Sequence, residues 1–412
     1  MTKRKPKARA DRRVALAFPN TMVIAGSLLH GILDYAHSRG GWRFTQMPEQ
    51  ISPSAAWLQN WSGDGAFAVL ITAEEIRLAR RLPFPVVNLV GYLYDETLPA
   101  VTLDQRATGR LQARHLLERH FRRLAYYGTR DLWYSRERRA GFCEAASAAG
   151  VTPVCRMVPS GIRSRYTLTD QQAELVQWLR PMRPPFGVAA STDRRACMVM
   201  EACAVLGLRI PEDVAVIGVD NDPTVAPFSD PPLSSVARND SELGRRAAEL
   251  LDILMDGREP AGRRVLIPPG NVVARRSTET LAVEEPVLTG LVGEIREHLA
   301  EPFGVEFIVG RTRMSRRQVE RLFRRGLGCP PYALINRLRV ERACRLLETE
   351  RGLPLTRVAE ACGFTSLRHF RIVFQRTTGH SPAVHRKAAA EIWGRSSQSG
   401  SQESNDHRSH LS

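Results

Sequence analysis

Apolar positions along the chain follow two regimes. From Val14 to about residue 275, short apolar runs alternate with segments whose apolar residues recur at i, i+3 and i+4. Val14–Phe18, Ala66–Ile71, Pro85–Val90, Leu124–Tyr127, Phe186–Ala190 and Val214–Val219 predict strands. Helices are predicted by Leu28, Leu29, Ile32, Leu33 and Ala36, by Ile76 and Leu78, and by the stretches Leu111–His120, Phe142–Ala149 and Met198–Leu206. Strands without polar alternation are covered on both faces, so this regime predicts an α/β fold with parallel sheets between helix layers. A stretch of this length predicts two such sheets, hence two lobes with a cleft between them.

The second regime, from Gly304 to Pro382, is helical only, and one pattern occurs in it twice. Ser315 opens a run containing Val319, Leu322 and Phe323, closed by Gly328 and Pro331. Ser366 opens another with Phe370, Val373 and Phe374, closed by Gly379 and Pro382. Each apolar set is one helical stripe, and each Gly–Pro pair stops the helix. Shorter apolar helices precede both copies, at Phe307–Val309 and at Val358–Cys362, the latter closed by Gly363. Helix, turn, second helix is the helix-turn-helix arrangement. Ser315 with Gln318 reads as a capping box. The polar faces offer Ser315, Arg316, Arg317, Gln318, Arg321 and Arg324 in one copy, and Ser366, Leu367, Arg368, Arg371 and Gln375 in the other. These are the candidate DNA contacts, because guanidinium, amide and hydroxyl groups suit phosphates and base edges. Between the copies, Pro331–Glu348 predicts a connecting helix of about 27 Å. The two reading heads could then reach neighbouring major-groove segments about 34 Å apart.

These residues resemble the DNA-binding domain of the AraC/XylS family of transcription regulators across 286–388. The resemblance rests on Met314-Ser315-Arg316-Arg317-Gln318-Val319-Glu320-Arg321-Leu322-Phe323, on Ala361-Cys362-Gly363-Phe364, and on Phe370, Phe374, Gly379, Ser381 and Pro382. The first unit departs from the second in its turn, which has Thr312 and Arg313 and no glycine like Gly363.

In open α/β sheets, ligands bind beyond the carboxyl ends of the strands. Asn20 follows the first strand, Thr192 and Asp193 follow Phe186–Ala190, and Asp220 follows Val214–Val219. Amides and carboxylates there can take the paired hydroxyls of a sugar. Helix capping competes with ligand contact at each of these positions, and Asp193 in particular reads as an N-cap. Trp133 could stack on a sugar ring, and Arg138 begins Arg-Arg-Ala-Gly-Phe at a helix start. This region resembles the effector domain of LacI-type regulators and periplasmic sugar-binding proteins, through Arg138-Arg139-Ala140-Gly141-Phe142, Leu206–Val214, Val216-Ile217-Gly218-Val219-Asp220 and Pro231–Val236. The N-terminal helix-turn-helix of LacI proteins has no place before a strand at Val14. A LacI-like sensor joined to an AraC-type domain is similar to the xylose operon regulators. That resemblance implies a sugar such as xylose in the cleft, activation of transcription and contact with RNA polymerase. It carries over best onto Arg138 and Asp220. At Thr192 related sensors often have Asn.

Charge sharpens this division. The net charge is +16. Residues 1–13 hold seven Lys or Arg against one Asp, residues 291–390 sum to about +10, and the residues between are nearly neutral. A basic domain beside a neutral one is an electrostatic footprint for double-stranded DNA, with solvation the competing reading for the basic tail. The expected layout is a basic tail at 1–12, a sugar-sensing domain at 13–276, a linker at 277–286, the double helix-turn-helix domain at 287–388, and a Ser-rich disordered tail at 389–412. Seven scattered cysteines without CxxC spacing read as cytoplasmic thiols, with no metal site expected. Apolar runs are too short to cross a bilayer, and no secretory leader is recognisable. No cofactor is expected. No phosphate loop, HExxH or GxSxG occurs, so a regulator is expected rather than an enzyme. Two alternatives remain: a sugar-processing enzyme using strand-end carboxylates, and a DNA-binding regulator whose sensor has lost its ligand. A homodimer through the sensor is expected.

Overall fold

A computed structural model describes residues 11–18, 25–48, 54–89, 91–93, 95–160, 168–280, 286–350 and 352–387. The chain divides into two compact units that meet between Ala282 and Val283.

The first unit contains twelve strands among its described residues: β1 (Arg12–Ala17), β2 (Trp42–Gln46), β3 (Gly65–Ala68), β4 (Val86–Leu89), β5 (Ala100–Leu103), β6 (Leu124–Thr129), β7 (Val154–Val158), β8 (Phe186–Ala190), β9 (Val214–Asp220), β10 (Ser234–Ala237), β11 (Arg264–Ile267) and β12 (Val272–Val273). They form two six-stranded sheets, in the orders β11-β5-β4-β3-β1-β2 and β12-β10-β9-β8-β6-β7. Every pairing is parallel except that of β10 with β12. The helices are α1 (Ala25–Arg39), α2 (Ser54–Leu58), α3 (Ala73–Ala79), α4 (Gln105–Glu118), α5 (Trp133–Ala148), α6 (Leu168–Leu179), α7 (Asp193–Val205) and α8 (Asp240–Met255). Strands such as β3, β4, β6 and β8 are buried along their whole length, as two-sided coverage requires. The chain passes between lobes three times: from β5 to α4, from β10 to α8, and from β11 to β12. Two glycines bring helices into backbone contact. A Cβ on Gly109 of α4 would stand 1.9 Å from the Arg138 carbonyl of α5, and one on Gly141 would stand 2.0 Å from the Arg106 carbonyl.

Shorter and less apolar strands escaped the periodic reading. β2, β7 and β11 are partly exposed edge strands, so they lack the unbroken apolar run that marks a central strand. The unit's last turn also differs from expectation. Arg276–Thr278 forms a 3-10 turn in which Ser277 and Thr278 are fully buried. Ser277 donates to the Val216 carbonyl at 2.7 Å, and Thr278 meets His115 Nε2 at 2.8 Å. Positions 277 and 278, expected to open the linker, therefore belong to the sensor fold. At the other end, Arg12 lies in β1 and pairs with Asp252 and Asp256, so it is part of the sheet rather than of the tail. Residues 1–10 of the expected basic tail and the expected tail at 389–412 lie outside the described residues.

The second unit is helical: α9 (Pro286–Glu297), α10 (Val305–Gly310), α11 (Arg316–Leu327), α12 (Pro331–Thr349), α13 (Leu355–Ala361) and α14 (Leu367–Thr378). Val319, Leu322, Phe323 and Leu327 are the buried stripe of α11, and Phe370 and Phe374 are that of α14. Gly328 and Gly379 end these helices at φ +65° and +82°, a conformation costly for any residue with a Cβ.

Candidate effector site and nucleic-acid interface

The sensor's strand ends gather a buried polar cluster. Asp220 closes β9 with φ +111°, followed by Asn221 at +48°. Two consecutive non-glycine residues in left-handed backbone are strained, and such strain concentrates at functional sites. The Asp220 carboxylate faces two guanidiniums, Arg138 at 3.8 Å and Arg238 at 3.4 Å. Burial raises its pKa, against the pull of both arginines. Its side chain keeps 23% exposure, whereas Arg138 keeps 1% and Arg238 6%.

Both arginines are committed to protein acceptors. Arg138 Nε donates to Gln105 Oε1 at 2.7 Å, and another of its nitrogens donates to the Ser191 carbonyl. Its guanidinium also lies 4.9 Å from the centre of the Tyr134 ring. Arg238 grips both oxygens of Asp240 at 2.8–2.9 Å. Asp220 is thus the charged acceptor left facing outward. Beside it, Tyr92 meets Tyr134 edge-on, with ring centres 5.8 Å apart. Two buried polar atoms in the same cluster, the amide nitrogen of Gln105 and the hydroxyl of Ser191, have no hydrogen-bond partner among the described residues. Both lobes contribute here. The Trp133 N–H donates to the Tyr92 carbonyl at 2.9 Å, and Arg264 of β11 lies 4.6 Å from the centre of the Trp133 ring.

The expected ligand residues fall unevenly on this site. Arg138 and Asp220 come together, but Arg138 lies in the second turn of α5 rather than at its start, because the helix begins at Trp133. Trp133 is 8% exposed, with Arg264 over its ring, so the face expected to stack on a sugar is occupied by a cation. Thr192 is the N-cap of α7, its hydroxyl accepting the Arg195 N–H at 3.3 Å. Asp193, expected as that cap, is instead the first helical residue. It accepts from the Ser235 hydroxyl at 2.6 Å and from the Asp222 N–H at 2.8 Å. Burial, with Asp220 nearby, pushes its pKa up to about 8. Both oxygens tie strand ends together, which gives Asp193 a structural task in place of the expected ligand contact. Asn20 lies outside the described residues. Sequence reasoning missed Gln105, Tyr92, Tyr134 and Arg238. The last reaches Asp220 only because β10 pairs beside β9 with Ala237 opposite Asp220, a register no local pattern reveals.

The helical unit presents the opposite chemistry. Ser315 and Gln318 cap each other: the Ser315 N–H donates to Gln318 Oε1 at 2.7 Å, and the Gln318 N–H donates to Ser315 Oγ at 3.4 Å. Ser366 caps α14 through the His369 N–H. Arg316, Arg317, Arg321 and Arg324 are exposed on α11, and Arg368, Arg371 and Gln375 are exposed on α14, while Leu367 is half-buried. Arg316 is engaged by Glu306 at 2.6 Å and Glu320 at 3.4 Å. Among the described residues, Arg317, Arg321, Arg324, Arg368 and Arg371 have no carboxylate partner. Arg317, Arg321, Arg324 and Arg325 line one shallow groove with Glu320. The first turn needs no glycine, because Arg311 caps α10 at φ −88° and the Thr312 hydroxyl accepts the Met314 N–H at 3.2 Å.

A model of the periplasmic binding protein-like domain matches residues 113–278, and one of the helix-turn-helix domain matches residues 308–388. Over 92% of its length the chain is 27% identical to the xylose operon regulatory protein of Escherichia coli (strain K12), of which it covers 98%. It is 26% identical to the protein of that name from Haemophilus influenzae, over 91% of this chain and 98% of the relative. The solved structure described as the xylose-binding transcription activator XylR covers 92% of the chain at a TM-score of 0.60 and 25% identity, with 98% of that structure matched. The chain is a sensor–regulator fusion of the xylose-operon-regulator type. The regulator therefore joins a sugar-binding type of sensor to a DNA-binding helix-turn-helix domain, and the relatives it matches over nearly its whole length are xylose operon regulatory proteins. The sensor fold recurs in the complex of the regulator CelR with cellobiose, at a TM-score of 0.54 and 22% identity over 66% of this chain and 86% of that one. No helix among the described residues is long and apolar enough to cross a membrane.

Proposed function

We propose that this regulator is a cytoplasmic transcription activator, not an enzyme, that takes xylose or a similar neutral sugar at the Asp220 site and works as a homodimer with RNA polymerase. The observation that carries the reading is the partly exposed Asp220 carboxylate, flanked by two buried arginines that also bind Gln105, the Ser191 carbonyl and Asp240. An acceptor of this kind takes paired sugar hydroxyls, and the unpartnered Gln105 and Ser191 atoms add a donor and a hydroxyl within the same cluster. Bound sugar shifts the sensor toward whichever lobe arrangement holds it more tightly, and the response is limited by that difference in affinity. The output leaves through the chain after Thr278, with the domain of 287–388 reading DNA through Arg317, Arg321, Arg324, Arg368 and Arg371. The xylose-binding activator and the xylose operon regulatory proteins, similar over nearly the whole chain, support this reading. A thermal-shift screen of the full chain against pentoses, hexoses and uronates tests it. A saturable rise in melting temperature with a neutral sugar, without turnover, is expected. No shift with any sugar would favour a regulator whose sensor has lost its ligand.

A further inference from the structure

The helical unit holds a buried arginine with no carboxylate partner among the described residues. Arg339, midway along α12, is 6% exposed. One of its terminal nitrogens donates to two backbone carbonyls, Glu301 at 2.8 Å and Phe303 at 3.1 Å. Its guanidinium lies between two aromatic rings, 4.9 Å from the centre of Phe303 and 5.8 Å from that of Phe364. Burial lowers its pKa from the ordinary guanidinium value, so the position is costly for a cation.

The two rings lead to the two helix-turn-helix units. Phe303 precedes α10, and its ring lies 4.9 Å from that of Phe307 on α10, the first helix of the first unit. Phe364 sits in the turn of the second unit, 5.2 Å from Phe370 of α14, which in turn lies 5.6 Å from Phe374. Arg339 is thus the link in one line of contacts from the first unit to the recognition helix of the second. Gly363 fits the same junction. Its φ is +72°, and a Cβ there would stand 2.5 Å from the Glu301 carbonyl, 2.7 Å from that of Leu299 and 2.9 Å from Arg339 Nε. The turn of one unit is therefore pressed directly against the loop that precedes the other.

We infer that Arg339 is a positioning residue for DNA recognition: it clamps the Glu301–Phe303 loop to the Gly363–Phe364 turn and so fixes the spacing between the two recognition helices. Being buried, Arg339 acts through the residues it holds and not by contact with DNA. A rigid spacing matters because two linked heads gain affinity only when both engage at once. This rests on the reading of the helical unit as the DNA-binding domain.

The test uses the full-length chain and a duplex that the parent chain selects from a random-sequence library. Versions of that duplex carry one, two or five extra base pairs between the two protected segments. The parent should lose at least about ten-fold in affinity on each insertion, as the second head is carried off register. Arg339→Met should bind the original duplex at least about ten-fold more weakly and lose less than about three-fold on insertion, because its heads are no longer held apart at one distance. Arg339→Lys keeps the stem and the charge but loses the planar fork. It should show the same tolerance, and it carries the test if the Met chain does not melt cooperatively. A cooperatively melting variant with parent-like affinity and the parent's insertion penalty overturns the inference. A parent chain that selects no duplex overturns the DNA-binding reading instead.

Discussion

Arg138 and Arg238 in the sensor and Arg317, Arg321 and Arg324 in the helical unit are the same side chain in opposite states. The first two are buried, and protein acceptors occupy most of their donors. The other three are exposed, share one groove, and have no carboxylate partner among the described residues. Two carboxylates, Asp220 and Asp240, balance the two buried guanidiniums, and the group the cluster presents is Asp220. An uncommitted one presents its charge, which suits a polyanion. One chain can therefore carry a site for a neutral polyol and a surface for DNA without the two competing. Partner geometry, rather than residue type, separates them.

The largest expected effect comes from breaking the committed set. Arg138→Met would leave Asp220 facing Arg238 alone and strip Gln105 and the Ser191 carbonyl of their donor. Removing one member of a buried pair costs about 3–5 kcal/mol. At about 2–4 °C per kcal/mol for a domain of this size, a melting temperature lower by roughly 6 °C or more is expected. A calorimetric melt checks it, and an unchanged melt would mean that Arg138 is not held as described.

Breaking the uncommitted set should leave stability alone and act on binding. Arg321→Ala should weaken DNA binding by about 1–3 kcal/mol, in a sequence-dependent way if the residue reads a base and uniformly if it meets phosphate. Arg316→Ala is the control on the same helix face. Its guanidinium is shared by Glu306 and Glu320, so its removal should weaken binding by less. Mobility-shift titrations at one salt concentration compare the two, and equal losses would erase the distinction between committed and free arginines.

A smaller effect concerns Asp193. Its folded pKa, pushed up to about 8, lies above the ordinary carboxyl value of 3.8. Stability from this group is then fully present below the ordinary value and lost as pH rises from there through about 8. The parent should melt lower at pH 8.5 than at pH 6, and Asp193→Asn should flatten that slope. A slope unchanged in the variant would assign the pH dependence to other groups.

The two sets also differed in how far the sequence revealed them. The α11 stripe of Val319, Leu322, Phe323 and Leu327 fixes by periodicity alone which face is buried, and so which arginines are free. The mutual cap of Ser315 and Gln318 and the glycine stops at Gly328 and Gly379 are equally local. Central strands such as β8 and β9 were legible because two-sided burial leaves an unbroken apolar run. The sensor site was legible only at Arg138 and Asp220. Arg238 enters through strand register, Tyr92 through contact between lobes, and Gln105 through the crossing of α4 and α5, all of which join residues distant in sequence. For the same reason the Asp193 carboxylate looked like a cap and a ligand group, when its partners Ser235 and Asp222 lie beyond any local window.

Asp220 is proposed to carry sugar recognition and to have no part in DNA affinity. Isothermal titration of the full chain with the sugar that gives the largest thermal shift, repeated on Asp220→Ala, tests it most directly. Losing a charged acceptor should cost about 1.5–3 kcal/mol, or roughly ten- to a hundred-fold in sugar affinity. DNA affinity without sugar should stay at the parent's value. A folded Asp220→Ala chain that binds the sugar as tightly as the parent would place sugar recognition elsewhere.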